Sequence, residues 1–487
     1  MEPLVVELAT VAAWVLWALA AVAVIGVAYA LVTDDREPTI VLAWLFVILL
    51  VPILGIVAYF FVGRDHRRKA VKSSDVMRPS VVAGRDPTAV AADSSGFLAV
   101  AKADHPGAPR RRIEQTGTYE AGVAPLAADE VQLYFTGAEK FHDLLADLRS
   151  AERYVDLMYL IWEKDRLTAE VTEILLDRLH AGVEVNIIYD WLSSLPYKKD
   201  ELEQLAGAGA RVVPCYKQVS QLNYRNHMKM AIIDGRVVYS GGMNMGQEYI
   251  DGGPRFDAWR DTHFRMSGPV VAPYLSLFAA TWLRNGRTEE LTTGCLPGLD
   301  DRSEAGVPVQ VLYSSVSTIF PTIRDVFLVA LMNARHRVWI QSPYFVPDEP
   351  LLSAMCVAAA SGIDVRLMMT GVPDKKVPFY AAHTYFNRLL ASGVTVYKYD
   401  AGFLHAKTVT VDDDVAIIGT CNWDIRSLLL HDEVVSVFYD EAIATANAAQ
   451  YEQDIRACSE VTMAELSRLS GRERLRNSVF RLLSRLL

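Results

Sequence analysis

Paired cysteines are missing from this chain. Its five cysteines, Cys215, Cys295, Cys356, Cys421 and Cys458, are scattered, odd in number and never arranged as C-x-x-C. Such a pattern argues against a disulfide framework or a cysteine-bound zinc and fits reduced, buried thiols in the cytosol. Cations are in deficit as well: 48 Lys and Arg face 58 Asp and Glu, for a formal net charge of -10. A general nucleic-acid binder needs clustered Lys and Arg, so nucleic acid is not an expected partner. No H-E-x-x-H is present, and Met1-Glu2-Pro3 puts no Lys or Arg ahead of the first apolar run. The first absence removes a common zinc-hydrolase signature, and the second argues against a cleaved signal peptide.

Apolar residues, by contrast, make up 51% of the 487 positions, which is high for a purely soluble protein. They concentrate in residues 5–32 and 39–62, separated by the short polar segment 33–38. Each run is long enough as a helix to cross a hydrocarbon core of roughly 30 Å, so the expectation is a two-helix transmembrane hairpin over residues 1–63. Arg64, Arg67, Arg68 and Lys69 follow directly, placing that end and the remaining chain on the cytoplasmic side. Pro52 is expected to kink the second helix. Residues 64–128, rich in Ala, Asp, Pro, Gly and Ser with a basic knot at Arg110-Arg111-Arg112, read as a linker partly ordered against the body.

Beyond it the chain repeats itself. The first half, 129–300, alternates strands at 153–162, 183–190 and 210–216 with helices, then closes with strands at 227–234 and 236–240. The second half, 301–470, does the same at 337–344, 363–370 and 394–399, closing at 405–412 and 415–418. The alternation predicts an α/β fold of two tandem sandwiches, each a mixed sheet covered by helices. Residues 471–487 carry an apolar stripe (Leu475, Val479, Leu482, Leu483, Leu486) beside Arg474, Arg476, Arg481 and Arg485. That helix either lies on an anionic membrane surface or packs on the body.

The repeat carries its chemistry at one place. His227-Met228-Lys229 is followed by Asp234, and His405-Ala406-Lys407 by Asp412, so both halves read H-x-K-x-x-x-x-D. Seventeen residues after each histidine stands an asparagine preceded by glycine: Gly241-Gly242-Met243-Asn244 and Gly419-Thr420-Cys421-Asn422. Residues i and i+2 of a strand point to one face, so each His and its Lys aim at one spot. Two such units facing each other gather two imidazoles, two ammonium groups and two amides around one phosphodiester. One imidazole can attack phosphorus while the other protonates the departing alkoxide, and the lysines offset charge on the phosphoryl oxygens. Lysine is a poor metal ligand at neutral pH and would repel a cation, so neither metal nor cofactor is expected. Asp234 and Asp412 lie at odd offset from their histidines and begin turns, so loop bracing stands beside direct catalysis as their role. His263 and His383 are further polar candidates.

At these residues the chain resembles the phospholipase D superfamily, and within it the bacterial cardiolipin synthases. The paired motif is matched by His227/Lys229/Asp234 and His405/Lys407/Asp412. Longer strings are similar too: Asn223-Tyr224-Arg225-Asn226-His227, Trp259-Arg260-Asp261-Thr262-His263, Gln341-Ser342-Pro343-Tyr344-Phe345-Val346-Pro347, Pro373-Asp374-Lys375-Lys376 and Gly402-Phe403-Leu404-His405. The resemblance implies two phospholipase D-like repeats sharing one active site, a phosphohistidine intermediate, and transfer of a phosphatidyl group between two phosphatidylglycerols at a bacterial cell membrane. A hydrolytic phospholipase D that releases phosphatidic acid is the alternative, and a homo-oligomer is left open. By the same resemblance His227 is the nucleophile, and Asn244, Asn422 and Thr420 bind or support phosphate. Glu248 and Glu433 are implied to hold a histidine of the facing motif. Thr420 stands where the family often has Ser, and His431-Asp432-Glu433 replaces its common Asn-Phe-Glu.

Overall fold

The computed structural model describes residues 14, 15, 18, 22–33, 38–59, 109–195, 200–218, 221, 223–285 and 306–484. Its chain forms two compact units, Met1–His66 with Lys217–Asn223, and Arg67–Tyr216 with Tyr224–Leu487.

In the first unit the second apolar run does not form one straight helix. Helix Pro38–Leu50 spans 13 residues and ends at Val51, whose φ of -137° and ψ of 73° are not helical; helix Pro52–Ala58 follows. Pro52 has no N–H for the ladder, so the helical bonding breaks there. The chain then folds back, bringing the rings of Trp44 and Tyr59 to 5.6 Å; fifteen residues of continuous helix would hold them roughly 22 Å apart. Gly55 permits the fold, since a Cβ there would stand 2.9 Å from Ile48 Cα. Among the described residues no helix is long and apolar enough to cross a membrane. Much of the first run lies outside the described residues.

The second unit holds two sheets built on one plan. The first orders seven strands as Glu130–Tyr134, His263–Ser267, Val237–Gly241, Met230–Ile233, Tyr154–Tyr159, Glu184–Asp190 and Arg211–Cys215. The last three run parallel and the rest antiparallel. Tyr154–Tyr159 is buried along its whole length, as a parallel strand covered by helices on both faces must be. The second sheet repeats the order with Val307–Ser314, Glu433–Phe438, Val415–Gly419, Thr408–Val411, Arg337–Gln341, Asp364–Thr370 and Thr395–Tyr399. It adds Leu126–Ala128 at one edge and Cys458–Glu460 at the other. The strands predicted at 227–234 and 405–412 are shorter than expected, Met230–Ile233 and Thr408–Val411, so each His-x-Lys precedes its ladder.

The halves share a core. Phe264 and Phe438 meet edge to face at 5.3 Å, and Tyr274 Oη bonds Ser436 Oγ at 2.9 Å. Burying each such aromatic side chain contributes about 1.5–3 kcal/mol, so the two sheets do not separate without large cost. Within the segment read as a linker, helix Pro109–Ala121 packs on helix Thr322–Asn333, and Gln310 Nε2 donates to Val123 O at 2.8 Å. Cys215, Cys356, Cys421 and Cys458 are free thiols; Cys295 lies outside the described residues. Helix Gly471–Ser484 packs on helix Lys376–Ala382, with Phe480 stacked on Tyr380 and Arg476 over the same ring. Leu475, Val479 and Leu482 face solvent. His383 is structural: its Nδ1 meets Phe379 O at 2.8 Å inside an aromatic cluster with Phe379 and Phe386.

Candidate active site

Each motif histidine, His227 and His405, is seated by the opposite repeat. Asn226 forms a parallel bridge with Asp432, and His227 N donates to Asp432 O at 2.9 Å. Phe403–Leu404 pairs in parallel with Trp259–Arg260, and His405 N donates to Arg260 O at 2.7 Å. In both halves the residue that accepts the histidine amide stands one position before a carboxylate. That register delivers the carboxylate to the ring: His227 Nδ1 lies 2.9 Å from Glu433 Oε2, and His405 Nδ1 lies 2.7 Å from Asp261 Oδ2. Both carboxylates are fully buried. A carboxylate on Nδ1 holds the ring orientation and favours the tautomer with its lone pair on Nε2, free for attack or proton transfer.

Glu433 thus stands against the ring of the facing motif, whereas no hydrogen bond among the described residues joins Glu248 to either histidine. Glu248 opens the short helix Glu248–Asp251 and sits among Glu163, Asp165 and Asp374, with its carboxyl pushed up to about 8 by burial and then by Glu163. The residue equivalent to Glu433 is Asp261. Gly241 pairs with His263 and Gly419 with Val435, so the positions two before those partners, Asp261 and Glu433, correspond.

The lysines fold back beside their histidines. Lys229 Nζ donates to His227 O at 2.7 Å, and Lys407 Nζ donates to His405 O. Burial pushes Lys229 down to about 7 and Lys407 down to about 8. His405 is pushed down to about 4 by burial and then by the Lys407 ammonium, while burial and then Lys229 hold His227 well below the usual imidazole value. Lys407 and His405 also act on His227 from the other repeat, which places all four groups within mutual electrostatic reach. A phosphodiester anion entering between them would offset every one of these cationic repulsions.

Asn244 and Asn422 are buried beside this cluster, each with an amide oxygen that lacks a hydrogen-bond partner among the described residues. Asn244 Nδ2 donates to Tyr249 Oη at 3.0 Å, and that hydroxyl stands 3.5 Å from His405 Nδ1. An amide that turns end for end presents NH2 instead of oxygen, so either asparagine can serve a phosphoryl oxygen. The glycines ahead of them are needed for a close crossing: a Cβ at Gly419 would lie 2.3 Å from Val434 O. Thr420 takes a supporting place. Its hydroxyl donates to Glu433 Oε2 and accepts Val434 N at 3.0 Å, so it braces the carboxylate.

Of the two roles left open for Asp234 and Asp412, catalysis and loop bracing, their contacts are those of a brace. Asp234 accepts the backbone N–H of Glu152, Arg153 and Tyr154 at 2.9, 2.7 and 3.0 Å. Asp412 does the same for Arg335, His336 and Arg337. Both adopt positive φ, 53° and 50°, a conformation Asp tolerates better than most residues. Each lies beyond the far end of its strand from the histidine, roughly 20 Å away at strand rise, so one phosphorus cannot touch both. Replacing Asp234 or Asp412 by Ala should lower stability by about 2–4 kcal/mol, as charge-assisted bonds to three amides are lost. Thermal melting checks this against specific activity of the folded fraction; an unchanged melting temperature with dead enzyme would return these residues to the chemistry.

Asp432, beside Glu433, pairs with Arg284 and accepts Tyr216 Oη at 2.7 Å. His431 ends 5.9 Å from His227, ring to ring, and receives Arg426 Nε on its Nε2 at 3.2 Å. His263 is fully buried behind the site, with Met243 N 3.4 Å from its Nδ1. Sequence reasoning did not single out Asp261 or Tyr249. Among the described residues no group of three or more His, Cys, Asp and Glu is arranged to hold a metal ion.

Comparison with known proteins agrees with this geometry. A family model described as cardiolipin synthase, PLD-like domain, matches residues 144–253 and 327–455, and a phospholipase D-nuclease N-terminal model matches 15–64. The cardiolipin synthase of Geobacillus kaustophilus (strain HTA426) is 33% identical over 475 residues, covering 95% of this chain and 92% of that one. That of Halalkalibacterium halodurans is 31% identical over 486 residues, covering 96% and 93%. Among solved structures, phosphatidylserine synthase from Haemophilus influenzae Rd KW20 superposes with a TM-score of 0.59 at 15% identity, over 77% of this chain and 99% of that one. With full-length likeness of this order and the duplicated motif folded into one cleft, the chain belongs to the cardiolipin synthase family of phospholipase D-like proteins.

Proposed function

We propose that this protein makes cardiolipin by moving a phosphatidyl group from one phosphatidylglycerol to another. The observation that carries the reading is the crossed seating of His227 by Glu433 and His405 by Asp261, which leaves two Nε2 atoms for one phosphorus. His227 Nε2 attacks the donor phosphorus, the P–O bond to the terminal glycerol breaks, and His405 gives that oxygen a proton. Glycerol leaves. His405 then removes the proton from a glycerol hydroxyl of the second phosphatidylglycerol, whose oxygen attacks the phosphohistidine; the N–P bond breaks and cardiolipin forms. Lys229, Lys407, Asn244 and Asn422 hold the phosphoryl oxygens as charge develops on them. The choice of His227 as nucleophile follows the family resemblance.

We place the enzyme on the cytoplasmic side of the bacterial cell membrane, attached through residues 1–63. Supporting this are the cationic flank Arg64–Lys69 in the sequence and the apolar side chains the first unit exposes, among them Ile25, Leu42, Phe46, Leu49 and Leu54, each more than half exposed. A patch of that kind belongs against lipid. We divide the remainder into linker 64–128, repeats 129–300 and 301–470, and the terminal helix.

Anchoring raises the effective concentration of a lipid acceptor over a dissolved one. With phosphatidylglycerol as sole lipid, cardiolipin and free glycerol should therefore appear in equal amounts, with little phosphatidic acid. Added glycerol should drive the reaction backward. Lipid chromatography with a glycerol assay decides it: phosphatidic acid as the main product at every lipid density would make the protein a hydrolase with the same site.

A further inference from the structure

The two motif histidines stand in different surroundings, and strand register shows where the difference lies. Each follows a residue paired in parallel with the opposite repeat: Asn226 faces Asp432, and Leu404 faces Arg260. One step back along both segments, Phe403 faces Trp259 in one half, and Arg225 takes the position opposite His431 in the other. Residues i and i+2 of an extended segment share a face, so each of these pairs lies on the side that carries its histidine ring. The ring contacts agree. Phe403 and Trp259 stand 5.7 and 5.8 Å from His405, and His431 stands 5.9 Å from His227. Backbone bonds hold Arg225 in the same register: Asp432 N donates to Arg225 O, and His227 N to Asp432 O, both at 2.9 Å.

The His405 side is aromatic. Trp259 meets Phe403 edge to face at 4.8 Å, and Phe256 stacks on Phe403 at 5.0 Å. The His227 side is cationic. Arg426, on helix Ile425–Leu429, donates through Nε to His431 Nε2 at 3.2 Å, and its carbonyl accepts His431 N at 2.9 Å. Because Nε2 accepts, the proton of a neutral His431 ring sits on Nδ1, 3.8 Å from Glu433 Oε1. Burial, then Arg426 and Arg225, hold His431 well below the usual imidazole value, so the two arginines carry the charge. Burial and then Arg225 lower Arg426 to about 10 against the pull of Asp424, and burial lowers Arg225 against that of Asp190. Both guanidinium groups stay charged at neutral pH. All three residues are partly buried.

Two like charges near one another in such a place repel, and an anion between them relieves the repulsion. Transfer between two phosphatidylglycerols supplies one. Cardiolipin carries two phosphodiesters joined through one glycerol, so while one phosphorus sits between the imidazoles, the other anion lies a glycerol's length away. An aromatic surface offers that second anion no compensating charge, whereas a guanidinium meets a phosphodiester through two parallel hydrogen bonds. We propose that Arg225 and Arg426, the latter aimed by His431, form a second anion subsite beside His227 that takes the phosphodiester of the second phosphatidylglycerol. The subsite separates a phosphorylated acceptor from glycerol and water, and so selects cardiolipin among the products the phosphohistidine can give. It rests on the reading of the reaction as transfer between two phosphatidylglycerols, and the two fail separately. Phosphatidic acid as the main product of the unaltered enzyme overturns that reading, whereas the comparison below overturns only the subsite.

The test sets two acceptors side by side on the full-length enzyme with phosphatidylglycerol in detergent micelles. Cardiolipin formation uses an acceptor that carries a phosphodiester. Exchange of labelled glycerol into phosphatidylglycerol uses one that does not: the P–O bond to the terminal glycerol breaks, glycerol leaves, and an oxygen of labelled glycerol attacks the same phosphohistidine. Arg225→Gln and Arg426→Gln should each lower cardiolipin formation at least about tenfold, as loss of charge-assisted hydrogen bonds does. Glycerol exchange should change by no more than about twofold, as a substitution outside the contacts of that acceptor should. An equal loss of both rates, or unchanged cardiolipin formation, overturns the proposal, because an arginine needed only for the fold or for the donor slows both acceptors alike. If a Gln variant melts below the assay temperature, the corresponding Met variant, which keeps the apolar stem without the charge, is put through the same comparison and judged by the same outcomes.

Discussion

Replacing His227 or His405 by Asn should abolish turnover while leaving the fold intact. Each imidazole serves in both half-reactions, one as the atom that carries phosphorus and the other as acid and then base. Loss of either is expected to cost at least about 10²-fold, and several orders of magnitude where the covalent step itself is removed. The fold should survive because neither ring belongs to a ladder strand; Met230–Ile233 and Thr408–Val411 begin after the motif. What the ring loses on replacement is its contact to Glu433 or Asp261, while the amide bonds to Asp432 O and Arg260 O stay. Steady-state rates beside a thermal melt check this. The two variants also separate the roles: an acid-labile phosphatidyl adduct that accumulates in only one of them marks the surviving histidine as nucleophile. Near-normal turnover in either variant would sink the two-histidine mechanism.

The sheets were legible because their strands are apolar runs bounded by turns. Glu184–Asp190 and Arg211–Cys215 fall within a residue of the expected bounds, and the second half repeats the plan. The motif was legible because duplication at one spacing is hard to produce by chance. Asp261 was not, for a plain geometric reason. Seventeen residues run from Asn244 to Asp261 but eleven from Asn422 to Glu433, since the first repeat inserts a loop with helix Glu248–Asp251. Fixed spacing cannot cross an insertion, whereas strand register can. Asp234 and Asp412 show the opposite limit: conformity to a motif says that a residue is needed, not that it meets substrate. Their carboxylates hold the start of an interior strand in each sheet, Tyr154–Tyr159 and Arg337–Gln341, one step removed from the chemistry. The N-terminal run shows a third. Hydropathy measures apolar length, but the turn at Val51–Pro52 depends on one missing N–H and on the space Gly55 leaves.

If the crossed pairs do what their geometry suggests, removing charge from either carboxylate should cripple the enzyme without removing a contact to lipid. Asp261→Asn places an amide where His405 Nδ1 now meets Oδ2 at 2.7 Å, and Glu433→Gln does so at His227. An NH2 turned toward Nδ1 makes that nitrogen accept, moving the ring proton to Nε2, the atom that must attack or take a proton. Wrong-tautomer changes of this kind cost about 10²- to 10⁴-fold in kcat. KM for phosphatidylglycerol should change little. Glu248→Gln is the matched control. Its carboxyl sits among Glu163, Asp165 and Asp374, and no hydrogen bond or ion pair among the described residues joins it to an imidazole. That variant should stay within about threefold of the parent enzyme, as a substitution outside the contacts made by either imidazole should. Rates measured on the three variants under one lipid condition decide between the pairs. Full activity in Glu433→Gln or Asp261→Asn would show that the imidazoles need no charged partner on Nδ1. A dead Glu248→Gln, with the other two active, would give the orienting role to the residue the family likeness named rather than to the one strand register puts there.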